Sequence, residues 1–244
     1  MRPSQFDVSV IIPVYNGGPF LADAIENIKQ QSYVPLEIII VDDGSTDATA
    51  RIASNTRGDV CYVYQPNSGT PSARNKGLKR ARGNVIAFLD VDDLWKENKL
   101  EIQLALLSKD PSVEVVLGYL QYIRSSESGG GKTKLERFTD PWLELNLGAA
   151  ICLKSAFDKV GFFDEQLPYC DDIDWFMRAK ELGISMLIHK EITLYHRRHE
   201  HNITNQRNLN HSYFVKAIKK SLERRRKSGE GVVEPLSKWI ESYD

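Results

Sequence analysis

Asp90, Asp92 and Asp93 crowd into the stretch FLDVDDLW, straight after the apolar run Val85 to Leu89. Carboxylates this close repel one another, and a fold that gathers them needs compensating positive charge. A hard divalent cation, Mn2+ or Mg2+, supplies it through oxygen ligands, with substrate phosphates completing the shell. A turn in which one Asp caps a helix starting near Trp95 explains one carboxylate and not all of them. A second acidic loop, Asp42-Asp43-Gly44-Ser45-Thr46-Asp47, follows the run Leu36 to Val41. Gly44 suits a sharp turn there, and Ser45 or Asp47 suits a helix cap. That leaves Asp42 and Asp43 to accept hydrogen bonds from a ligand.

Other groups carry weaker signals. QPNSGTPSARN sets Asn67 before a helix and Arg74 within it. Helix N-termini favour anions, and Arg74 could brace the acidic loops, hold a diphosphate or sit in a surface ion pair. In YCDDIDWFMR, Asp174 and Arg178 have the i, i+4 spacing of an ion pair. Asp171 can cap the helix, and Asp172 is left over as a carboxylate placed for general-base work. His196, His199 and His201 fall within HRRHEH. They read as a solvated polar stretch, or, beside an acidic loop, as a source of one imidazole ligand. Arg197 and Arg198 could hold a diphosphate.

The elements that must position these residues alternate through the first half of the chain. Val8 to Val14, Leu36 to Val41, Val60 to Tyr64 and Val85 to Leu89 read as buried parallel strands. Phe20 to Ile28, Asp47 to Ala53, Ser68 to Arg82 and Leu94 to Leu107 read as the helices between and after them, with Thr70 as an N-cap and Pro71 at the first helical position. The order is that of an α/β fold with a doubly wound, mostly parallel sheet and helices on both faces. Ligands collect beyond the carboxyl ends of such strands, where Pro13 to Asn16, Asp42 to Ser45 and Asp90 to Asp93 lie. The second half is less regular. Val113 to Ile123 reads as a strand, Ser125 to Lys134 as a flexible polar loop, either a hairpin tip or an acceptor-side loop, and Gly148 to Leu153 as a strand leading into a helix. Asp171 to Leu182 reads as a helix, Ile184 to Leu194 as a closing strand and Asn208 to Arg226 as a basic helix.

With 244 residues, 41% hydrophobic and 27% charged, the chain is expected to bury a core without disulfides. Its formal net charge of -1 gives no support to a nucleic-acid partner. Cys61, Cys152 and Cys170 show no paired spacing and read as reduced core thiols. The N-terminus lacks the pattern of a signal peptide, and no run reaches the ~20 apolar residues that span a bilayer. A cytoplasmic location is expected.

Taken in order, VSVIIPVYN, VDDGSTD, QPNSGTPSARNKGLKRARGNVIAFLDVDD, GFFDEQLPYCDDIDWFMR and YHRRHEHNIT resemble the family 2 glycosyltransferases with the GT-A fold. The resemblance runs from Val8 to Thr204. It implies that Pro13, Tyr15 and Asp43 contact the base and ribose of a nucleotide-sugar donor, UDP-linked by preference. Asn16, Asn67, Arg74, Asp90 and Val91 join that set. Asp90 and Asp92 would form the family's DxD pair, with Asp92 the ligand of Mn2+ or Mg2+ and His199 the second contact. Asp172 would be the base for a single inverting displacement onto a hydroxyl acceptor, either a carbohydrate or a lipid-linked one. Asp171 lies on the acceptor side, and because the family's acidic pair is usually Glu-Asp, the base stays between Asp171 and Asp172.

The Gln-x-x-Arg-Trp signature of processive synthases is absent, which favours one transfer per acceptor. A nucleotidyltransferase would carry a basic, Gly-rich loop after the first strand, and Pro13 to Gly18 has no Lys or Arg. A non-catalytic nucleotide-sugar-binding module would have lost acidic residues, and they are present. Acceptor choice is expected in Ser125 to Asn146, where Trp142 is either a sugar platform or a core ring. Residues 1–206 form the expected catalytic domain and 207–244 a helical tail. The basic run Lys216 to Lys227 reads as a solvated face or as a peripheral contact with anionic lipid.

Overall fold

The continuous apolar runs become strands covered on both sides. Every residue of β1 (Val8–Val14) and β2 (Glu37–Asp42) is buried. The computed structural model describes residues 6–56, 58–128, 132–200, 202 and 207–228. Strand β2 pairs in parallel with β1 and with β3 (Val60–Tyr64), and β4 (Val85–Phe88) lies parallel on the other side of β1. Helices α1 (Gly18–Lys29) and α2 (Thr49–Asn55) make the crossovers toward β3. Helix α3 (Thr70–Arg80) returns from β3 past β1 to β4, and right-handed connection then puts it on the opposite face. It packs so closely that a Cβ on Gly77 would lie 2.4 Å from Ile11 Cγ2.

Beyond β4 the direction changes. Strand β8 (Ala150–Leu153) is antiparallel to β4 and to β6 (Val115–Ser128). Two reversals restore the original sense, so β6 and its parallel neighbour β9 (Met186–Arg197) run the same way as β1. The carboxyl end of β9 therefore delivers its residues to the same edge as β1, β2 and β4. The short β5 (Leu94–Trp95) closes the sheet antiparallel to β9, giving the order β3-β2-β1-β4-β8-β6-β9-β5. This is the doubly wound, mostly parallel sheet expected.

Several boundaries differ from the sequence expectation. Leu94 and Trp95 are a strand, not the start of a helix, because Leu94 pairs with Tyr195 and Trp95 with Leu194. Helix α4 begins only at Lys99 and runs to Lys109. The cap of α3 is Gly69 at φ 92, with Thr70 already helical. In the Ser125 to Lys134 stretch the hairpin reading holds, β6 pairing with β7 (Lys132–Arg137) out to Ser128 and Lys132, so the strands run further into it than expected. A 3-10 turn, Leu147–Ala149, precedes β8, and α5 (Lys154–Val160) follows it.

The seam at β8 is held by buried polar groups. Lys99 is fully buried and donates from Nζ to Gln103 Oε1 at 2.6 Å and to Ala150 O at 2.9 Å. Burial pushes its ammonium down to about 7. Trp95 Nε1 donates to Gly148 O, while Gln103 Nε2 and Thr193 Oγ1 both donate to Ala149 O. Three consecutive carbonyls are thus fixed from behind. Finally, α7 (Arg207–Ser228) packs on α6 (Asp171–Glu181), with Lys220 on Asp164 and Arg224 on Asp174 and Glu181. His201, Thr204 and the tail after Ser228 lie outside the described residues.

Candidate active site

The strand ends and α6 enclose a cleft of about 970 Å³. Pro13, Tyr15, Asn16, Asp43, Arg74, Asp90, Val91, Asp92, Asp171, Asp172 and His199 all line it. Asn67 and Trp142 do not. Asn67 stands behind the acidic loop, donating from Nδ2 to Asp43 O at 3.0 Å. Trp142 bridges to Leu120 and sets its ring edge-on to Tyr122, which is itself a lining residue. Trp142 therefore supports the wall rather than forming it.

The loops after β1 and β2 lock together. Asn16, at φ 50, donates its backbone N–H to Ser45 Oγ and accepts from Thr46 N, each at 2.8 Å. Asp47 accepts from Thr49 N and from Gly18 N, so it serves the first turns of both α2 and α1. The expectation that Asp42 and Asp43 stand free is corrected. Asp42 is fully buried and accepts from Ser45 N and the Tyr62 hydroxyl. Asp43 accepts from Gln65 Nε2 and Ser68 N on one oxygen and from Gly69 N on the other. Of the two, only Asp43 lines the cleft, and a carboxylate oxygen with one donor can accept another.

The three carboxylates after β4 diverge. The repulsion that argued for a cation is relieved within the protein, each Asp finding its own basic partner. Asp90 takes both oxygens to Arg74 Nη2, at 3.0 and 3.3 Å. Asp92 Oδ2 lies 3.0 Å from His199 Nε2 and 3.1 Å from Asn202 Nδ2. Asp93 turns inward to His196 Nδ1 at 3.0 Å and Arg197 N at 2.9 Å. Burial would depress the His196 imidazole, but the charge of Asp93 beside it lifts it to about 9. Burial pushes Asp93 up to about 6 against that same histidine. Burial also acts to raise Asp92, yet the His199 hydrogen bond holds it below the usual carboxylate range.

The described residues contain no group of three or more His, Cys, Asp or Glu side chains placed as a metal cage. Asp92 and His199 are a two-donor set opening on the cleft, and His199 is oriented by stacking on Phe20. Such a set fits a hard cation that takes its remaining ligands from phosphates and water. His196 faces Asp93 instead. Of the two arginines between them, Arg198 lines the cleft, whereas Arg197 is buried over the Phe20 ring and near Asp23.

Across the cleft, α6 starts at Asp171 and its N-cap is Cys170, held at φ 60. Asp171 is thus not the cap. Its carboxylate is buried against Arg74 Nη1 at 2.7 Å. Arg74 braces both acidic walls rather than an open diphosphate site. Asp172 accepts from Ile173 N at 2.8 Å and is half-buried at the cleft surface. Burial, then the neighbouring Asp171, push its carboxyl up to about 7 against the pull of Arg74. The expected pair of Asp174 and Arg178 forms at 2.8 Å.

Residues given no role from the sequence also line the cleft, namely Asn202, His211 and Phe214, together with Glu144 and Asn146 from the stretch expected to choose the acceptor. The His199–Asn202 spacing was the only local sign of the first. His211 and Phe214 arrive on α7, which no motif marks.

The profile described as Glycosyl transferase family 2 matches residues 9–161. A glycosyltransferase of Rickettsia typhi, itself uncharacterised, is 35% identical over 210 residues, 81% of this chain and 66% of the relative. A putative teichuronic acid biosynthesis glycosyltransferase of Bacillus subtilis is 43% identical over 117 residues, 46% of each chain. The chain spans from 18% to 66% of the length of the first curated relatives it matches. Among solved structures, a Pyrobaculum calidifontis mannosyltransferase in complex with GDP-Man and Mn2+ superposes with TM-score 0.69 at 20% identity, over 96% of this chain and 67% of that one. S. aureus TarS 1-349 with UDP-GlcNAc gives TM-score 0.65 at 23% identity, over 82% and 60%. These likenesses show the fold, which is GT-A. On the profile match, the chain belongs to glycosyltransferase family 2.

Proposed function

We propose that the protein transfers a sugar from a nucleotide-diphosphate donor, UDP-linked by preference, to a hydroxyl acceptor by one inverting displacement. The observation that carries this reading is the pairing across one cleft of Asp92–His199 on one wall with Asp172 on the other, through Arg74. The complexes of the fold neighbours with UDP-GlcNAc and with GDP-Man and Mn2+ support a nucleotide-sugar donor and a divalent metal.

In this reading Pro13, Tyr15, Asn16 and Asp43 receive the nucleoside at the ends of β1 and β2, with Asn67 fixing the Asp43 backbone from behind. Asp90 and Val91 border the donor sugar. Bound between Asp92, His199 and the donor, Mn2+ or Mg2+ would offset the charge of the departing diphosphate. Asp172 accepts the acceptor proton as the hydroxyl attacks the anomeric carbon and the bond to the diphosphate breaks. Its raised pKa matches that task, because a general base works best near the operating pH. Asp171 is charge-paired with Arg74 and serves as a positioning residue on the acceptor side. Trp142 supports the wall at Tyr122 and Glu144.

The described helices include none long and apolar enough to cross a membrane. The three cysteines are free thiols, in keeping with the cytoplasmic location expected from the sequence. Calorimetry of UDP and GDP with Mn2+ and with EDTA tests the donor reading. Tight, metal-dependent binding is expected, and equal affinities in the two buffers would remove the metal from the site.

A further inference from the structure

Helix α7 buries one side against α6, with Ala217 and Ser221 inward and Lys220, Ser221 and Arg224 bonded to Asp164, Glu181 and Asp174. Its other side is unusual. Ten large apolar side chains stand exposed among the described residues, and Leu209, Phe214, Val215 and Leu222 all lie on this one helix. Val215 is 50% exposed, Leu209 44% and Leu222 41%. Val215, Lys219, Leu222 and Arg226 follow helical spacing and form one stripe, flanked by exposed Lys216, Glu223 and Lys227. The stripe itself holds two apolar residues, Val215 and Leu222, framed by four cations and one anion; Lys219 pairs with Glu223 at 4.0 Å and Lys216 donates to Gln166 O, while Phe214 lies off the stripe, on the cleft.

We infer that this face of α7 docks on an anionic lipid surface. Exposed apolar groups among lysines and arginines suit a helix lying in the headgroup layer, where long basic side chains reach phosphates while their stems cover apolar surface. The charge selects the partner: the excess of positive over negative groups favours an anionic bilayer over a neutral one. The placement relative to the cleft gives the surface a use. Asn210, His211 and Phe214, from the first half of α7, line the same cleft as Asp172. Docking would set the cleft mouth beside the headgroups, within reach of a hydroxyl acceptor carried on a lipid. That last clause rests on the transferase reading, whereas the docking itself does not.

The test uses the full chain and sedimentation with vesicles of phosphatidylcholine alone or mixed with phosphatidylglycerol. Co-sedimentation with the anionic vesicles, weakened by salt, is expected. Each charge removed should weaken partitioning roughly five-fold, so Lys219→Ala, Arg226→Ala and Lys227→Ala combined should cost about 100-fold. Val215→Ser with Leu222→Ser should weaken it as well, with circular dichroism unchanged. No binding, equal binding to neutral vesicles, or binding untouched by the triple variant overturns the proposal. A chain that self-associates and is made monomeric by Val215→Ser and Leu222→Ser, without vesicle binding, also overturns it in favour of contact between two copies. UDP calorimetry without vesicles reports on the donor site separately.

Discussion

Arg74 Nη1 lies 2.7 Å from Asp171 Oδ2, joining the helix after β3 to the start of α6 across 97 residues of chain. The same guanidinium also holds Asp90. One buried cation therefore sets the distance between the loop of Asp90–Asp93 and the carboxylate of Asp172.

Arg74→Met should leave buried carboxylates without their counter-charge. Removing one partner of a buried pair costs about 3–5 kcal/mol. Denaturant unfolding should show a loss of that size, and transfer should fall even at temperatures where the variant is folded. An unchanged unfolding midpoint would mean that solvent reaches these groups.

Asp172→Asn should keep nucleotide affinity within about two-fold and reduce transfer by about 10²–10⁴-fold, the span of general-base catalysis. In the parent protein kcat/KM should fall as pH drops below about 7, where Asp172 takes up its proton. Because folding raises this carboxyl, the folded state binds more protons than the unfolded one between the ordinary Asp value and about 7. Stability drains away as pH rises through that window. The Asn variant should therefore melt higher than the parent at pH 8. A variant with parental turnover would move the base to another residue.

Asp92→Asn and His199→Ala should each erase the difference in UDP affinity between Mn2+ and EDTA buffers. Each variant removes one of the two side chains that this reading gives the cation among the described residues. His196→Gln is the matched control and should retain metal dependence.

His196→Gln has its own signature in stability. The imidazole is raised to about 9 by Asp93, whose own carboxyl is raised to about 6 by burial, so the ion pair stabilises most between those two values. That contribution is lost as pH climbs through about 9. The gap in Tm between parent and variant should be wide at pH 6.5 and narrow toward pH 9.5. A gap that does not change with pH would show that the histidine is neutral in the folded protein.

Much of the donor half was legible because its signals are local. Runs such as VSVIIPV can only be strands covered on both faces, and the loops that follow them must meet at the carboxyl edge. The partners of the acidic residues were not legible. Asp93 meets His196 at a separation of 103 residues, and Asp43 accepts from donors between Gln65 and Gly69, so neither could be judged from its neighbours. Trp95 looked helical beside Leu100 and Leu104, yet a strand partner almost a hundred residues later decides its conformation. The contribution of α7 to the cleft was the least visible, since Phe214 sits in a helix read only for its charge.

The strand β8 runs against both of its neighbours, β4 and β6. It works as a suture between two workshops. On one side, three parallel loops interlock through Asn16, Asp47 and Asn67 and have little freedom to vary separately. On the other, Tyr122, Glu144, Asn146 and α7 reach the cleft from independent anchors. A lineage could rebuild that second side to accept a new molecule while the first kept handling the same donor.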